Sequence, residues 1–499
     1  LKIEQFSDVS AWGAPRMLAL DTQGRLLVSL TDTGRILRLN QQGEAEVIAQ
    51  GLNAPHGLAL LGDDLLVAEQ TGVVKLPKQG DGWGAPQPLI RNLPSGGHSL
   101  KTVKVSPDGY IFINVGSSCN VCLEDNPLRA TLLRYTTEGR PAGAVLTVGR
   151  HAQSAIWSTG LRNTQGFTWH PETGDMFATN NGADNRSAIK NGKTDDDLPP
   201  EHLNKIEAGK HYGWPYCWGD PGQPGQLFQD PNFTGEPDIC KQAQAPALTM
   251  PAHSTPIGMT FLQHSRLPTQ IQQDAIIALH GSWNRKQPSG YALLRVQFRN
   301  QLPVAAVPFI SGWLQGQKAW GRPVDVIVGA DGWLYVSDDL TGWIYRIRSA
   351  QPSLVIQVPE AFYQHPVRLL NPYLNYWHNR AEAAETVGLS SFQSKNYTTS
   401  SCEAEAKGQA LVVIEPNMFY NPQTGIFYSE ITAKVYNQPA ADSALGKPLM
   451  TVKGQGQSRG WLTYNVEYFT HQSYQQAFDQ VIQQLQQSPA FQQSVEQAP

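Results

Sequence analysis

The sequence predicts an all-β fold, a six-bladed β-propeller followed by a small α+β domain. The main observation is a repeat: six segments share a plan of short apolar strands separated by Gly- and Asp-rich turns. The second observation is composition, because 45 Gly, 35 Pro, 13 Trp and 17 Tyr in 499 residues are typical of many turns between short strands. One copy buries little apolar surface alone, so stacking of the copies around an axis completes the core.

The six copies differ in spacing, which predicts loops of unequal length on one face. They cover residues 14–39, 54–76, 98–120, 160–185, 254–296 and 321–347. The pairs Asp108-Gly109 and Asp331-Gly332 lie between alternating apolar runs, where hairpin turns need positive φ. A β-sandwich of similar strands is the alternative interpretation, and the number of copies favours the propeller.

The repeat stops near residue 350, so the chain is expected to have three parts. These are the propeller over residues 1–350, a Pro-rich linker over 351–372 and a small α+β domain of unknown role over 373–499. In the last part, 408–415 and 426–436 are predicted strands, the second with Phe427, Ile431, Ala433 and Val435 on one face. The apolar residues between Tyr474 and Leu485 follow helical spacing.

Composition also limits the partners. Lys and Arg number 38 against 42 Asp and Glu, a net charge of -4, so no general basic surface is available for nucleic acid. No run approaches the roughly 18 apolar residues of a membrane helix. Of the five cysteines, Cys119/Cys122 and Cys217/Cys240 form two local pairs and Cys402 is left over. Such pairs favour an oxidising compartment, so a periplasmic or secreted location is expected.

Candidate functional residues cluster at the strand entries of the third and fourth copies. His98 follows Ser95-Gly96-Gly97, where a first strand would point its side chains into the axial mouth, and a base could lie there. Arg162 and Asn163 open the fourth copy, and the run Asn180–Asn185 ends its hairpin. A bend at Gly182 can present successive carbonyl oxygens to a hard cation such as Ca²⁺. A structural histidine and a simple Asx turn are the alternatives.

Two further arginines lie at the ends of later strands. Arg285 follows the apolar strand of the fifth copy, and Arg322 precedes that of the sixth. With Arg162 they would make a site for a multiply charged anion, although each could instead be an ordinary salt-bridge partner. The acidic run 195–197 lies in a segment of at least twenty residues without strand character. Three interpretations of this segment stay open, namely a solvated loop, a lid and a second cation site.

These motifs resemble a known family, the soluble quinoprotein glucose/sorbosone dehydrogenases, over roughly residues 10–350. The most specific stretches are GLRNTQGFTWHP, NNGAD, DDDLPPEHLNKIEAGKHYGWP, HGSWNR and GRPVDVIVGADGWLYVSDD. Within the family the chain looks closest to the L-sorbosone dehydrogenase-like branch. The resemblance implies a six-bladed propeller that binds pyrroloquinoline quinone (PQQ) and Ca²⁺. It implies a dehydrogenase that oxidises a sugar, aldose, sorbosone or related alcohol by hydride transfer to the quinone.

The resemblance also implies roles for individual residues. His98 would be the general base, and Arg162 would bind the quinone and act in catalysis. The carbonyl oxygens of Gly182 and Ala183 would be the metal ligands and would hold the Ca²⁺ that lies on the cofactor. The implied PQQ contacts are Asn163, Asn181, Arg285 and Arg322.

The sequence departs from the glucose enzymes at three of these positions. Asn181 replaces their Gln, Val324 replaces a second Arg, and Asn284 or Arg285 stands where they have Lys. The resemblance therefore implies the cofactor but not glucose as substrate. The C-terminal domain lies outside the resemblance.

The electrons are expected to pass to an external acceptor. Attachment of a c-type haem needs Cys-x-x-Cys-His, and Cys122 is followed by Leu123. The Cys119/Cys122 pair is more readily explained as a disulfide than as part of a zinc site.

Two other functional classes remain open. One is a Ca²⁺-dependent lactonase-type hydrolase on a six-bladed propeller, with Asp184, Asp325 and Asp338 as ligands. The other is a binding propeller without catalysis.

Overall fold

The computed structural model divides the chain into two compact units, Lys2–Arg348 and Ser349–Pro499, with Leu1 grouped with the second. Each unit is described by itself. The structure describes residues 1–145, 154–234, 238–348, 353–371, 374–395, 397–401, 410–437, 446–462 and 465–496.

The described part of the first unit contains six four-stranded antiparallel sheets, numbered here along the chain. Sheet 1 consists of Pro15–Leu20, Leu26–Leu30, Arg35–Leu39 and Ala45–Ala49. Sheet 2 consists of Leu58–Leu61, Asp64–Glu69, Gly72–Leu76 and Gln87–Ile90. Sheet 3 consists of Val103–Val105, Ile111–Val115, Thr131–Tyr135 and Ile156–Thr159.

The remaining three sheets follow the same up-and-down order, with one exception at the chain start. Sheet 4 consists of Phe167–Trp169, Met176–Asn180, Glu201–Ile206 and Leu248–Met250. Sheet 5 consists of Pro256–Phe261, Ala275–Leu279, Ala292–Arg299 and Leu302–Ile310. Sheet 6 consists of Pro323–Val328, Leu334–Asp338, Trp343–Arg348 and the N-terminal strand Lys2–Asp8.

The apolar core shows that the sheets follow one another in a closed ring. Six clusters of buried apolar side chains each lie between two consecutive sheets, and one of the six joins sheet 6 back to sheet 1. In that closing cluster, Leu18 and Val28 of sheet 1 pack with Tyr335 and Ile344 of sheet 6. In five of the six neighbouring pairs of sheets the first strands contact each other, so these strands line the inside of the ring.

The N-terminal strand closes the ring, a feature that the repeat pattern did not predict. Lys2–Asp8 pairs antiparallel with the third strand of sheet 6, from Lys2 opposite Arg348 to Asp8 opposite Trp343. Glu4 adds ion pairs to Arg346 and Arg348, each at 2.6 Å. Backbone hydrogen bonds thus join the start of the unit's chain to its last sheet.

The glycines of the predicted Asp-Gly turns have positive φ, 86° at Gly109 and 80° at Gly332.

Several short elements lie between the strands of the six sheets. The minor two-stranded pairs are Lys78–Gln79 with Gly82–Trp83, Cys217–Gly219 with Leu227–Gln229, and Leu314–Gln315 with Lys318–Ala319. The helical turns are Ile239–Gln242 and the 3-10 helix Thr269–Ile271.

The second unit is an α+β structure with one five-stranded sheet. Apolar side chains of the sheet and of three helices share a single core, which includes Phe427, Ile431, Ala433 and Val435, all fully buried. The strands in sheet order are Thr398–Ser401, Ser353–Gln357, Ala410–Asn421, Ile426–Asn437 and Met450–Arg459. The helices and the remaining pair are Glu360–Gln364, Arg380–Ser394, Val466–Gln486, Pro489–Glu496 and the strands Val367–Asn371 and Leu374–His378.

The prediction that residues 351–372 form a linker between two domains is wrong. Ser353–Gln357 is an inner strand of the five-stranded sheet and pairs in parallel with both neighbours, Thr398–Ser401 and Ala410–Asn421. Its apolar run SLVIQV is flanked by Pro352 and Pro359 rather than interrupted by them. Because a proline before or after a strand costs no ladder hydrogen bond, the prolines gave a misleading signal.

The structure contains the two local disulfides that the sequence predicts. Disulfides join Cys119 to Cys122 and Cys217 to Cys240, as the spacing predicted. Cys402 lies outside the described residues. Among the described helices, none has the length and apolar character needed to cross a bilayer.

Removing the N-terminal strand tests the ring closure. We expect deletion of residues 1–8 to lower the midpoint of thermal unfolding by at least about 5 °C, because the outer edge of sheet 6 loses a whole strand. Glu4→Gln is the matched control: it removes partly exposed ion pairs but keeps the strand, so it should change stability by less than about 1 kcal/mol. Calorimetry measures both, and equal midpoints for the deletion and the parent would contradict the closure.

Candidate active site

The candidate residues meet because of the strand directions within the sheets. In an antiparallel pair, the start of the first strand and the end of the second lie at the same edge. His98 and Arg162 precede the first strands of sheets 3 and 4, and Asn181 follows the second strand of sheet 4. Arg322 immediately precedes the first strand of sheet 6. One face of the ring therefore collects these polar side chains next to its axis.

The imidazole of His98 is held in one tautomer by Ser117. Its Nδ1 lies 3.1 Å from the carbonyl oxygen of Ser117 and 2.9 Å from the hydroxyl oxygen. That hydroxyl donates to the carbonyl oxygen of Cys119 at 2.7 Å, so it can offer His98 only a lone pair. Both neighbours of Nδ1 are acceptors, so Nδ1 carries the proton and Nε2 keeps a free lone pair.

The environment of His98 also sets its charge. Burial, followed by the positive charge of Arg162, lowers the pKa of His98 to about 4. The imidazole is therefore neutral at pH 7. A neutral imidazole with an unprotonated Nε2 can accept a proton.

Arg162 forms a buried ion pair with Asp184. Its Nη2 lies 3.1 Å from Asp184 Oδ2, and the whole arginine is only 5% exposed. Asn284 donates to the other carboxylate oxygen at 2.8 Å, and His253 Nδ1 lies 3.6 Å from it. Burial raises the pKa of Asp184, but its bonds to His253, Arg162 and Asn284 outweigh burial and leave that pKa below its usual value.

The backbones of Asn163 and Asn181 are hydrogen bonded to each other and to their neighbours. Asn181 N donates to the Asn163 carbonyl at 3.0 Å, and Asn163 N donates to Asn180 Oδ1 at 3.1 Å. The side-chain oxygen of Asn181 is buried and has no hydrogen-bond partner in the described structure. That unpaired oxygen is available to a ligand.

Gly182 and Ala183 lie over a buried carboxyl group. Gly182 N donates to Glu201 Oε2 at 2.6 Å, and Thr255 N donates to the other oxygen at 3.2 Å. Burial raises the pKa of Glu201 to about 7. A Cβ at Gly182 would lie 2.9 Å from Pro199 Cγ, so only glycine fits without displacement. Within the described residues, the carbonyl oxygens of Gly182 and Ala183 accept no hydrogen bond.

Arg322 lies beside a second charged cluster. Its Nε and Nη2 donate to the carbonyl oxygens of His280 and Gly281 at 3.2 and 3.1 Å. The His280 side chain lies 2.9 Å from Asp339, which also pairs with Arg16 at 2.5 Å. The guanidinium of Arg322 is half-buried and pairs with no carboxylate among the described residues, so its charge is available to an anion.

Arg285 is already engaged by the acidic run. It donates to the carbonyl of Ala252 at 2.9 Å and to the exposed Asp197 at 2.7 Å. The neighbouring Lys286 N donates to Asp196 Oδ2 at 3.0 Å. The acidic run thus pairs with Arg285, and the described structure offers no support for a second cation site there.

The carboxylates expected for a hydrolase do not come together. Asp184 pairs with Arg162, whereas Asp325 accepts backbone N–H groups of Leu18 and Val326. Asp338 accepts the backbone N–H groups of Arg322, Leu340 and Thr341. In the described part of the chain, the only cluster of three potential metal-ligating side chains is Cys119, Cys122 and Glu124, and its two cysteines are disulfide bonded.

Comparison with known proteins assigns the family. The model of the family described as TrAA12-like matches residues 8–350. The chain belongs to the TrAA12-like family. Among curated relatives, this TrAA12-like chain is 26% identical over 396 residues to the pyrroloquinoline quinone-dependent pyranose dehydrogenase of Coprinopsis cinerea, covering 68% of this chain and 53% of that protein. The aldose sugar dehydrogenase of Escherichia coli is 26% identical over 195 residues, 38% of this chain and 47% of that protein.

Solved structures agree in fold. A calcium structure of the Trichoderma reesei enzyme of family AA12 has a TM-score of 0.58 at 21% identity, covering 70% of this chain and 95% of that one. The holo form of the PQQ domain of the C. cinerea pyranose dehydrogenase has a TM-score of 0.57 at 22% identity, covering 69% and 94%. The chain spans little more than half the length of the curated relatives it matches.

These comparisons confirm the resemblance to PQQ-dependent sugar dehydrogenases at the level of the family. The narrower L-sorbosone branch and the roles of individual residues stay predictions. The C-terminal unit lies beyond the matched residues 8–350.

Sequence reasoning missed several members of the TrAA12-like site. Arg16 bonds to Asp339 and lies 3.4 Å from both His56 and Gln165, while its own Nε is buried without a partner. A signal was present, because Arg16 and His56 occupy the same repeat position in APRMLAL and APHGLAL, at the entry of the first strand. Val324 occupies the corresponding position in GRPVDVI, because Pro323 opens its strand as Pro15 does. Aligning the copies on this motif would have found Arg16 and His56.

The pKa of His98 gives a test in the protein without cofactor. We expect its imidazole to titrate near pH 4 with Nε2 unprotonated at pH 7, as measured by long-range ¹H–¹⁵N NMR with His98→Gln to assign the signal. In the unfolded chain the ordinary pKa is about 6.5. The unfolded state therefore takes up this proton first, and the stability that neutral His98 contributes is lost as pH falls from 6.5 to 4. An Nε2–H tautomer at pH 7 would contradict the assignment.

Proposed function

We propose that this chain is a PQQ- and Ca²⁺-dependent dehydrogenase that oxidises a sugar, aldose, sorbosone or related alcohol. The observation that carries the proposal is the neutral His98 with its free Nε2, fixed by Ser117 on the same face as Arg162. The pyranose and aldose sugar dehydrogenases among the relatives support a sugar as substrate class. We further propose that the closed ring of six sheets is a six-bladed β-propeller with this site at its axial mouth.

The oxygen atoms near Gly182 fit a hard divalent cation. The carbonyl oxygens of Gly182 and Ala183 and the side-chain oxygens of Asn181 and Asn284 have no hydrogen-bond donor among the described residues. Ca²⁺ takes neutral carbonyl and amide oxygens as well as carboxylates. Gly182 and Ala183 would hold the ion through their backbone oxygens. The calcium structure of the T. reesei relative supports this choice of metal.

The arginines fit a cofactor that carries carboxylates. Arg322 has charge available beside the site, and Arg162 is held rigid by Asp184. Asn163 and Asn181 would supply polar contacts between them. Arg285 fits this role less directly, because exposed Asp197 already occupies its Nη2 and would have to be displaced. Arginine is well suited to carboxylates because its fork of N–H groups can bond both oxygens.

The residues of the chain then have separable roles in the reaction. PQQ and Ca²⁺, when bound, supply the hydride acceptor and the Lewis acid. His98 accepts the proton of the substrate hydroxyl at Nε2 as the hydride leaves the adjacent carbon. Ser117 holds the opposite ring nitrogen, so the imidazolium that forms keeps its orientation. Arg162 supplies a fixed positive charge where negative charge develops, without reorganisation during the step.

Electron transfer and location complete the proposal. Cys119 and Cys122 are disulfide bonded and Leu123 replaces the histidine of a haem attachment motif, so an external acceptor is proposed for the electrons. The two disulfides favour a periplasmic or secreted protein. Membership of the L-sorbosone dehydrogenase-like branch is proposed from the motifs alone.

Reconstitution with PQQ and Ca²⁺ tests the function. The purified protein should reduce a redox dye in the presence of aldoses, sorbosone or simple alcohols only after both are added. His98→Gln should reduce turnover by at least about a hundredfold, because a general base is lost, while PQQ affinity stays nearly unchanged. His264→Gln, at an exposed loop histidine, is the matched control. Lactone hydrolysis with Ca²⁺ alone, and no dye reduction, would contradict the proposal.

Arg322→Ala separates cofactor binding from catalysis. We expect PQQ affinity to fall by roughly tenfold or more, because a charge-assisted hydrogen bond to a carboxylate is removed. Fluorescence titration with PQQ measures this directly. Arg266→Ala removes an arginine that stacks on Trp333 away from the candidate residues, and should leave the affinity unchanged. An unaltered affinity in Arg322→Ala would remove this residue from the cofactor site.

A further inference from the structure

A short loop closed by a disulfide lies against the candidate site. It follows the second strand of sheet 3, Ile111–Val115, and the Cys119–Cys122 bond encloses only Asn120 and Val121. Neither the family-derived roles nor the proposed mechanism uses this loop. Its contacts nevertheless reach both of the residues proposed to act in catalysis.

Asn120 joins the two members of the buried ion pair. Its side-chain oxygen accepts from Arg162 Nη2 at 2.9 Å and from Asp184 N at 2.8 Å. Its side-chain nitrogen donates to the carbonyl of Asp184 at 2.9 Å. Its own carbonyl accepts from Arg162 Nε at 3.1 Å and from Trp214 Nε1 at 3.0 Å. The guanidinium is thus held by Asn120 through two different nitrogens, which fixes its plane as well as its position.

The same loop sets the orientation of His98. The carbonyl of Cys119 accepts the hydroxyl proton of Ser117, and this leaves the hydroxyl lone pair facing His98 Nδ1. Glu124 holds the loop from outside by accepting from Ser118 N at 2.6 Å and Ser118 Oγ at 2.7 Å. One segment of eight residues therefore orients the base and the guanidinium together.

The size of the disulfide ring indicates a local role. A disulfide stabilises a fold through the unfolded chain more strongly when it closes a longer loop. Cys119 and Cys122 are separated by 3 positions, whereas Cys217 and Cys240 are separated by 23. The short ring therefore adds less global stability than the long one. Its main effect is to restrict the backbone that carries Asn120.

We propose that Asn120 is a positioning residue, which the Cys119–Cys122 ring holds in place so that Arg162 and Asp184 are fixed for the reaction. The proposal rests on the proposed dehydrogenase function. It makes activity sensitive to reductants, because the cysteines of this ring are only half-buried. A dithiol would reduce the S–S bond to two thiols and itself become a disulfide, and Asn120 would lose its closed loop.

Asn120→Ala tests the role of the side chain. Removing a residue that hydrogen-bonds to an active-site group typically lowers activity by roughly 10- to 100-fold. We therefore expect turnover of the PQQ- and Ca²⁺-loaded enzyme to fall by roughly that range, mainly in kcat rather than KM. Asn126→Ala is the matched control. Asn126 is exposed nearby, and within the described residues its side chain accepts a hydrogen bond only from Leu128 N, so turnover should stay within about twofold of the parent.

A second measurement needs neither PQQ nor turnover. Arg162 carries a positive charge that helps to keep His98 neutral, so releasing it in Asn120→Ala should raise the pKa of His98 measured by NMR in the protein without cofactor. If loaded parent enzyme reduces no dye, the proposed function fails, and this titration still decides the role of Asn120. Unchanged His98 titration together with unchanged turnover in Asn120→Ala would overturn the proposal.

Reduction of the disulfide supplies a test that does not depend on a variant folding. The parent treated with dithiothreitol should lose turnover by roughly tenfold, and reoxidation should restore it. Cys119→Ser/Cys122→Ser should start with low turnover and not respond further to dithiothreitol, which excludes an effect through Cys217–Cys240. Full turnover in this double variant, or an equal loss in Asn126→Ala, would contradict the positioning role.

Discussion

The structure depends on hydrogen-bond partners for the polar groups at the axis of a ring of sheets. First strands from neighbouring sheets begin there, and several of the polar side chains at their entries are buried, among them Arg16, His56 and Arg162. Cross-sheet hydrogen bonds meet this constraint. Arg162 bonds to Asn120 of sheet 3, Glu201 bonds to Thr255 at the entry of sheet 5, and Arg16 bonds to Asp339 of sheet 6. Because a buried charge without a partner is costly, these bonds also fix the geometry of the site.

Some of the buried polar atoms that lack a hydrogen-bond partner in the described structure lie at the candidate site. The side-chain oxygens of Asn181 and Asn284 and the Nε atoms of Arg16 and Arg285 are buried without partners in the described structure. Unpaired oxygens suit a cation, and unpaired guanidinium nitrogens suit an anion. The two kinds occur on the same face as the free Nε2 of His98. A metal bound to a polyanionic cofactor would satisfy both kinds, whereas a cluster of carboxylates around a metal would need acidic residues that already have other partners.

The fold could largely be predicted because its signal repeats. The six four-stranded sheets have the predicted apolar runs, and the α+β end of the chain has the predicted strands and helix. The N-terminal strand Lys2–Asp8 could not be predicted, since its partner lies at the far end of the unit and its charged sequence lacks the repeat pattern. The candidate site could be predicted only in part, and the roles of its residues stay predictions. His98 follows Ser95-Gly96-Gly97 at a strand entry, whereas Asn120 and Asp339 make contacts between sheets, which no local spacing encodes.

The central claim is that one axial site binds a metal through backbone oxygens beside a neutral imidazole. A crystal structure of the protein soaked with PQQ and Ca²⁺, with anomalous data to locate the ion, tests it most directly. The account predicts an anomalous peak at the carbonyl oxygens of Gly182 and Ala183, with the quinone within reach of His98 Nε2. A peak at the acidic run 195–197, or a quinone bound away from His98, would contradict it.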